Sequence, residues 1–452
     1  MNQLLTDDIE QQCQQLIDAP TWWVALSGGV DSVALLHSLA LFLQLSPQQT
    51  KPRLVAIHIN HGLSANASQW QQECADFCRQ LGCDLVIERV DVINQGKGVE
   101  AEARAQRYRA IAQHLAAEDV VFTGHHLDDQ VETLFLRLMR GAGLLGLQGV
   151  KRDGVVFGCR VVRLLLSVPR ADIEDYACHH QLEWVDDESN NDPRFDRNFL
   201  RHQVLPLLSN RWPRYRAAVD RAVQWLSEAD HALQEYSQQD LQVLAGKDRW
   251  GGYLLLSPLI EMSQVRQKTV LRYWLAGHNC RLSSAVEFDA IVAQLARVKS
   301  GAELYRGDYR LMAFADKLYL VDRNDSECVD YSYGVDCLPM TLETPGGRLV
   351  FTEPSDDVEE GLLVAAPLPL RVAGRDLGQS VRPIGRGGSR SVKKVLQEHK
   401  VPNWYRQTLP MIYAANQVVA VADCVACEHD LPADSAFVVR WQPASFSPFY
   451  ES

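Results

Sequence analysis

The sequence predicts an α/β amino-terminal domain on a parallel sheet, followed by a mainly helical middle domain and a small α+β carboxyl-terminal domain. Three observations predict it. The first is the stretch Thr21-Trp22-Trp23-Val24-Ala25-Leu26-Ser27-Gly28-Gly29-Val30-Asp31-Ser32, where an apolar segment too short for a helix runs into Ser-Gly-Gly. Val33, Leu36, Leu39, Ala40 and Leu43 then follow at helical spacing. The second is the alternation of β-branched apolar runs with amphipathic segments beyond that point, which implies right-handed βαβ crossovers and a sheet covered on both faces. The third is a change to helical periodicity from about Trp212, and to short strand-like segments from Leu338. The expected boundaries are 1–211, 212–330 and 338–452.

The two glycines of the first loop take positive φ without strain and leave no Cβ in the way, so backbone N–H groups can close on an anion at the start of the next helix. The loop is not G-x-x-x-x-G-K-[ST], because no lysine follows the glycines. Ser27 and Ser32 supply hydroxyls for phosphate oxygens, and Asp31 is a candidate ligand for Mg²⁺. A bare Ser-Gly-Gly is an ordinary turn with an Asp-Ser cap. Six such residues set between a strand and a helix favour a phosphate cradle.

Further strands are expected at Leu54–Ile59, Leu85–Val90, Val120–Thr123 and Val155–Leu166, and helices at Ser68–Leu81, Val99–Leu115 and Pro169–Gln181. Ligands of such sheets sit at the carboxyl ends of the strands, where the polar residues collect. The second strand ends at His58-Ile59-Asn60-His61, and the fourth runs into Gly124-His125-His126-Leu127-Asp128-Asp129-Gln130-Val131-Glu132-Thr133. There Asp128 and Asp129 share a helix face with Glu132. The helix dipole alone favours acids at such a position. Two histidines before two aspartates exceed what capping needs, and hard carboxylates facing a nucleotide suit Mg²⁺ better than zinc. Arg140, at the end of the same helix, is placed as a phosphate contact. Beyond it, Asp186–Asp192 reads as a polar loop, 212–298 as helical, Ala302–Val321 as a small hairpin, and Asp322–Asp336 as a linker.

A chain of 452 residues with 46% hydrophobic content buries more than one core. The polar, acidic stretch Met1–Pro20 lacks the apolar core of a signal peptide, and no run approaches a membrane span, so a soluble cytoplasmic protein is expected. Eleven cysteines scattered along the chain are expected as reduced thiols. The net charge of −12 hides a segment of +5 over 194–221 and one of +7 over 371–406, leaving −24 elsewhere. Such segregation suits a protein that accepts a polyanion along one track, although solvated basic faces would look the same.

Ser27-Gly28-Gly29-Val30-Asp31-Ser32 resembles the pyrophosphate loop (PP-loop) of the N-type ATP pyrophosphatases, whose Rossmann-like domain cleaves ATP between its α and β phosphates. Five further stretches narrow the resemblance to the bacterial tRNA(Ile)-lysidine synthetases. They are Ile59-Asn60-His61-Gly62-Leu63; Glu100-Ala101-Glu102-Ala103-Arg104 with Arg107-Tyr108; the His-His-x-Asp-Asp-Gln-x-Glu-Thr stretch; Arg140-Gly141-Ala142-Gly143; and Arg197-Asn198-Phe199-Leu200-Arg201. Near the carboxyl terminus, Arg382-Pro383-Ile384-Gly385, Ser391–Leu396, Val401-Pro402 and Arg406 with Leu409-Pro410 are similar to the last domain of the same family. Ser64 departs from the basic residue that many members carry there.

The resemblance implies a ligase that adenylates the C2 oxygen of the wobble cytidine of a CAU-anticodon tRNA(Ile), releasing pyrophosphate. The ε-amine of free L-lysine then displaces AMP to give lysidine. It implies that Ser27, Gly28, Gly29, Val30, Asp31 and Ser32 bind ATP, with His58, His125 and Arg140 about the nucleotide, and that Asp31, Asp128 and Asp129 are the Mg²⁺ candidates. Asp31, Asp129 and Arg201 are the expected catalytic residues, Glu132 is a candidate base for the lysine amine, and 338–452 is the expected tRNA-binding domain. A homodimer is left open. The alternatives are a tRNA thiolase on the same core, and a non-catalytic tRNA-binding module with a regulatory nucleotide loop. A thiolase needs sulfur-carrying cysteines; Cys424-Val425-Ala426-Cys427 is a single pair on an apolar run and reads as core.

Overall fold

The computed structural model describes residues 3–48, 50–60, 62, 66–90, 99–185, 194–280, 285–307, 309–322, 331–354, 361–374, 379–406, 408–432 and 435–443. The chain divides into two compact units, Met1–His231 and Ala232–Ser452.

The first unit opens with α1 (Asp7–Gln15), β1 (Thr21–Ala25), α2 (Val30–Leu45), β2 (Arg53–Asn60), α3 (Ala67–Leu81), β3 (Asp84–Arg89), α4 (Val99–Ala112) and β4 (Val120–Phe122). It continues with α5 (Leu127–Met139), α6 (Leu144–Leu147), β5 (Asp153–Val156), β6 (Cys159–Val162), α7 (Arg170–His179), α8 (Asp196–Phe199), α9 (Leu205–Arg211) and the start of α10 (Tyr215–Leu244). The sheet has the order β3-β2-β1-β4-β6-β5 and is parallel except for the β5–β6 hairpin. The chain leaves β1 for β2 on one side and returns to β4 on the other, so the switch point lies between the carboxyl ends of β1 and β4.

The alternation of a strand's side chains divides β1 between two cores. Trp22 and Val24 join Leu36, Leu39 and Phe122 beneath α2, while Trp23 packs with Val55, Ile57, Tyr108 and Val161 on the other face. Each buried indole N–H is satisfied: Trp22 Nε1 donates to the Leu16 carbonyl at 2.9 Å, and Trp23 Nε1 to Asp119 Oδ2 at 3.0 Å. Val155–Leu166 differs from the single strand expected. It is a hairpin turning at Phe157 and Gly158, both at positive φ, followed by a 3₁₀ turn over Leu164–Ser167.

The second unit holds the rest of α10, then β7 (Ala245–Asp248), β8 (Gly251–Leu255), α11 (Leu256–Glu261), α12 (Gln264–Gly277), α13 (Ala285–Leu295), β9 (Glu303–Arg306), β10 (Tyr309–Phe314) and β11 (Lys317–Asp322). It ends with β12 (Ser332–Val335), β13 (Met340–Thr344), β14 (Gly347–Thr352), β15 (Leu362–Ala365), β16 (Leu370–Ala373), β17 (Ser380–Val381), β18 (Arg390–Ser391), α14 (Val392–Glu398), β19 (Met411–Ala414), β20 (Gln417–Val421), β21 (Val425–Ala426) and β22 (Ala436–Pro443).

The segment expected to be helical from 212 to 298 therefore carries the β7–β8 hairpin. Its strands extend the expected hairpin at 302–321 into a five-stranded sheet, β7-β8-β11-β10-β9. Helical periodicity hid the hairpin because Leu254, Leu255, Leu256 and Leu259 run from a strand straight into α11. The expected linker at 322–336 contains β12, which pairs with β16; residues 323–330 lie outside the described residues. Met312, Tyr319 and Val321 join Trp404, Tyr405 and Trp441 in one core, so the middle and carboxyl-terminal regions share buried surface within this unit.

Candidate active site

The loop after β1 is held by its own serines. Ser32 Oγ accepts from the Ser27 N–H at 3.1 Å, lies 3.1 Å from Ser27 Oγ and donates to the Gly29 carbonyl at 2.9 Å. Gly28 sits at φ 88°, and a Cβ there would stand 3.3 Å from Cys74 Sγ. Gly29 is the N-cap of α2, and the first N–H groups of a helix have no intrahelical acceptor. The hydroxyls thus shape the turn and leave the helix N-terminus to meet an anion.

Gly124, at the end of β4, brings the second loop against the first. A Cβ on it would lie 2.9 Å from the Asp31 carbonyl carbon and 3.1 Å from the Ser32 nitrogen, so only glycine fits. The polypeptide then delivers His126, Asp128 and Asp129 into the first turn of α5. The His126 N–H donates to Asp129 Oδ2 at 3.0 Å. The ring of His126, buried, stands between three carboxylates: Asp31 Oδ1 at 3.6 Å, Asp129 Oδ2 at 3.5 Å and Asp128 Oδ2 at 3.9 Å.

The three Mg²⁺ candidates are not equivalent. Asp128 is committed elsewhere, its Oδ1 accepting from Arg216 Nε at 2.5 Å and its Oδ2 from the Arg170 N–H at 3.0 Å. Asp129 accepts from Arg197 Nη2 at 2.7 Å. Burial pushes its carboxyl up, but His126, Arg197 and His125 outweigh it and hold the group at about 2. Asp31 is the opposite case: burial raises its pKa, with His126 and Arg170 opposing. Its Oδ1 is buried with no hydrogen-bond partner. A buried orphaned carboxylate oxygen beside a phosphate loop is a place a divalent cation fits.

Glu132, one turn further along α5, is fully buried and accepts from two guanidiniums. Arg197 Nε lies 2.6 Å from its Oε2, and Arg201 Nε and Nη2 lie 2.7 and 3.1 Å from its two oxygens. Both oxygens being engaged, Glu132 in this arrangement anchors arginines rather than waiting as a free base for an amine. Arg201 also stands 3.6 Å from Asp129. Arg201 thus stands beside Asp129 and Glu132, and the contacts of Arg197, Arg216 and His126 with the carboxylates of α5 are what the sequence did not disclose. The i, i+4 spacing of Arg197 and Arg201, matching the Asp129–Glu132 face of α5, was the available signal.

The remaining expected residues fall differently. His58 is buried and its Nδ1–H donates to the Leu26 carbonyl at 2.9 Å; burial lowers its pKa and keeps it neutral. His125 pairs with Thr123 Oγ1 at 2.7 Å, and burial brings it down to about 3 despite Asp129. Both are neutral braces at the strand ends. Arg140 is the C-cap residue of α5, thirteen residues and so ~20 Å along the helix from Leu127, exposed, with Asp196 at 3.8 Å. His61, Leu63, Ser64, the side chains of Glu100 and Ala101, and Asp186–Asp192 lie outside the described residues.

The +5 segment is also reinterpreted, since Arg197, Arg201 and Arg216 spend their charge on Glu132, Asp129 and Asp128. The CxxC pair is core. Burial pushes the Cys424 and Cys427 thiols up to about 12, and among the described residues no group of three His, Cys, Asp or Glu is arranged to hold a metal.

Comparison with known proteins places the chain in a family. A PP-loop domain model matches residues 4–208, a TilS substrate binding domain model residues 254–319, and a TilS substrate C-terminal domain model residues 370–441. The tRNA(Ile)-lysidine synthases of Salmonella schwarzengrund and Salmonella typhimurium are each 36% identical over 409 residues, covering 88% of this chain and 91% of theirs. With a nucleotide loop, a carboxylate–arginine site and all three domain models in order, this chain belongs to the tRNA(Ile)-lysidine synthase family.

Proposed function

We propose that the site between β1 and β4 adenylates the wobble cytidine of a CAU-anticodon tRNA(Ile) and that free L-lysine then displaces AMP. Family membership gives the reaction, lysidine formation on tRNA(Ile) with consumption of ATP. The observation that supports the residue assignment is Asp31 Oδ1, a buried carboxylate oxygen with no hydrogen-bond partner where the phosphate loop meets α5. In this reading the turn built by Ser27, Gly28, Gly29 and Ser32 binds the pyrophosphate portion of ATP. Asp31 and Asp129 hold Mg²⁺, which when bound neutralises phosphate charge. Arg201, fixed by Glu132, supplies positive charge toward the reacting phosphate. The cytosine carbonyl is amide-like and a poor electrophile, so adenylation makes the leaving group that an uncharged lysine amine can displace.

The test is mass analysis of tRNA(Ile) incubated with the protein, ATP and Mg²⁺. With lysine the product should carry lysidine at the wobble position; without it, adenylated tRNA should accumulate and stall. Product lacking lysine when lysine is present, or thiolated product on supplying a sulfur donor, would overturn the proposal. Among the described residues no helix is long and apolar enough to cross a membrane, and a cytoplasmic reaction is part of the proposal. Whether the chain forms a homodimer is decided by sedimentation of the intact protein.

The carboxyl-terminal region is proposed to follow the tRNA. Arg386 and Arg390 share Glu398, at 2.5 and 2.7 Å, whereas Lys393 and Lys394 are exposed on α14. Trp404 and Tyr405 are buried and pack the core, so they offer no stacking surface. Changing Lys393 and Lys394 to Glu should weaken cognate binding at low salt and reduce the slope of log K against log salt by roughly 0.7 to 0.9 for every phosphate left unneutralised. An unchanged slope across a salt series would remove α14 from the RNA track.

A further inference from the structure

The carboxyl end of α3 brings two thiols together away from the site. Gly82 adopts the left-handed conformation at φ 69°, the Gly82 N–H donates to the Arg79 carbonyl at 3.3 Å, and the Cys83 N–H reaches back to the Cys78 carbonyl at 2.9 Å. This pair of bonds is a Schellman motif, in which the third residue from the helix end and the second residue past it meet side chain to side chain. Those two residues here are Cys78 and Cys83. Both pack against the core beneath α2, Cys78 fully buried and Cys83 half-buried. Neither takes part in the adenylation site.

We propose that Cys78 and Cys83 are a dithiol modification site that closes reversibly to a disulfide on reaction with a small-molecule disulfide of the glutathione class. The direction of attack follows from the surroundings. The interaction between the two thiols raises the pKa of Cys78 and lowers that of Cys83, while Cys83 Sγ donates to the Leu54 and Asp84 carbonyls at 3.4 Å each. Cys83 is also the more exposed of the two, so it is the entering nucleophile. Its thiolate attacks one sulfur of the oxidant, releasing one thiol that takes up the Cys83 proton and leaving a mixed disulfide. Cys78 then attacks the Cys83 sulfur, and the second thiol departs with the Cys78 proton. The protein loses two hydrogens and two electrons, and the oxidant is reduced to two thiols. Cys74, one turn earlier, cannot substitute for either, since its Sγ is turned toward His58 Nδ1 at 3.6 Å.

The full-length protein should be incubated with oxidised glutathione, quenched with an alkylating reagent and digested for mass analysis. The expected product is a Cys78–Cys83 disulfide, reversed by dithiothreitol. In Cys78→Ser the resolving thiol is missing, so a glutathione adduct on Cys83 should accumulate several-fold above the parent; in Cys83→Ser, Cys78 should remain unmodified. Both cysteines recovered alkylated from the oxidised parent, or an adduct on Cys83 that persists in the parent at the level of Cys78→Ser, would overturn the proposal. A melting curve of each variant keeps the result readable, because an adduct on Cys78 in a folded Cys83→Ser protein would also overturn it.

Discussion

Asp31→Asn is expected to lower tRNA-dependent pyrophosphate release by roughly 10²- to 10³-fold, the cost of removing one preorganised electrostatic group from a reacting centre, while tRNA affinity stays nearly intact. It should also hold or raise the melting temperature. A carboxyl whose folded pKa lies above its unfolded value costs stability whenever it is ionised, from the folded pKa upward in pH, and burial gives Asp31 that sign. Asparagine removes the charge and with it the cost. Asp129→Asn should abolish release as well but melt lower, because the sign is reversed. Asp129 is held at about 2, so it contributes stability that is fully present above its unfolded pKa and disappears as the pH falls through about 2. Melting curves at pH 7 without Mg²⁺, beside a pyrophosphate assay, read both effects. Release near the parent rate in either variant would sink the assignment of the two carboxylates. Equal melting shifts would sink the distinction between them.

Glu132→Ala is expected to be the most damaging single change to the fold of the first unit. The fully buried carboxylate joins α5 to the segment carrying Arg197 and Arg201. Removing it leaves two partly buried guanidiniums without their main partner, a destabilisation of about 3–5 kcal/mol. For a unit of this size that is roughly 6–20 °C in melting temperature. Glu132→Asp should fall between the parent and alanine, since one carboxylate on a shorter stem cannot span both arginines. If Glu132 were instead a base for lysine alone, Glu132→Ala would spare adenylation and block only the lysine step. Single-turnover adenylation and differential scanning calorimetry on the same preparations separate the two. An unshifted melt with intact adenylation would rule out the anchoring role.

Much of this architecture was legible in the residues because local and long-range signals agree there. The β1–loop–α2 unit combines an apolar strand, a glycine that must take positive φ and a helix buried on most sides, and each is visible in sequence. The carboxylates of α5 were legible for the same reason. What sequence did not disclose was which carboxylate is spoken for. Asp128 and Asp129 are adjacent, yet Arg216, eighty-eight residues from Asp128, takes one of them out of contention, and no local pattern encodes a partner at that separation. Arg140, which opens the Arg-Gly-Ala-Gly motif, sits at the opposite end of α5 from the acidic first turn, a separation the thirteen residues of the helix set. The β7–β8 hairpin was hidden because its strands are short and its second strand empties into a leucine-rich helix.

Between α8 and α9 the backbone widens into a π-turn over Leu200–Val204. This is one residue more than an α-register requires, and it lets Leu200 and Leu205, five apart, both turn inward. Winding the same residues into a regular α-helix, with none removed, would rotate everything downstream by about 100°. Leu205 would leave Val131 and Tyr215, and Arg216 would swing off Asp128. The widened turn therefore absorbs the surplus residue and keeps Leu205 and Arg216 in phase with α5, so the backbone hydrogen bonding of this stretch is as much a part of the site as the side chains of Arg201 and Arg216.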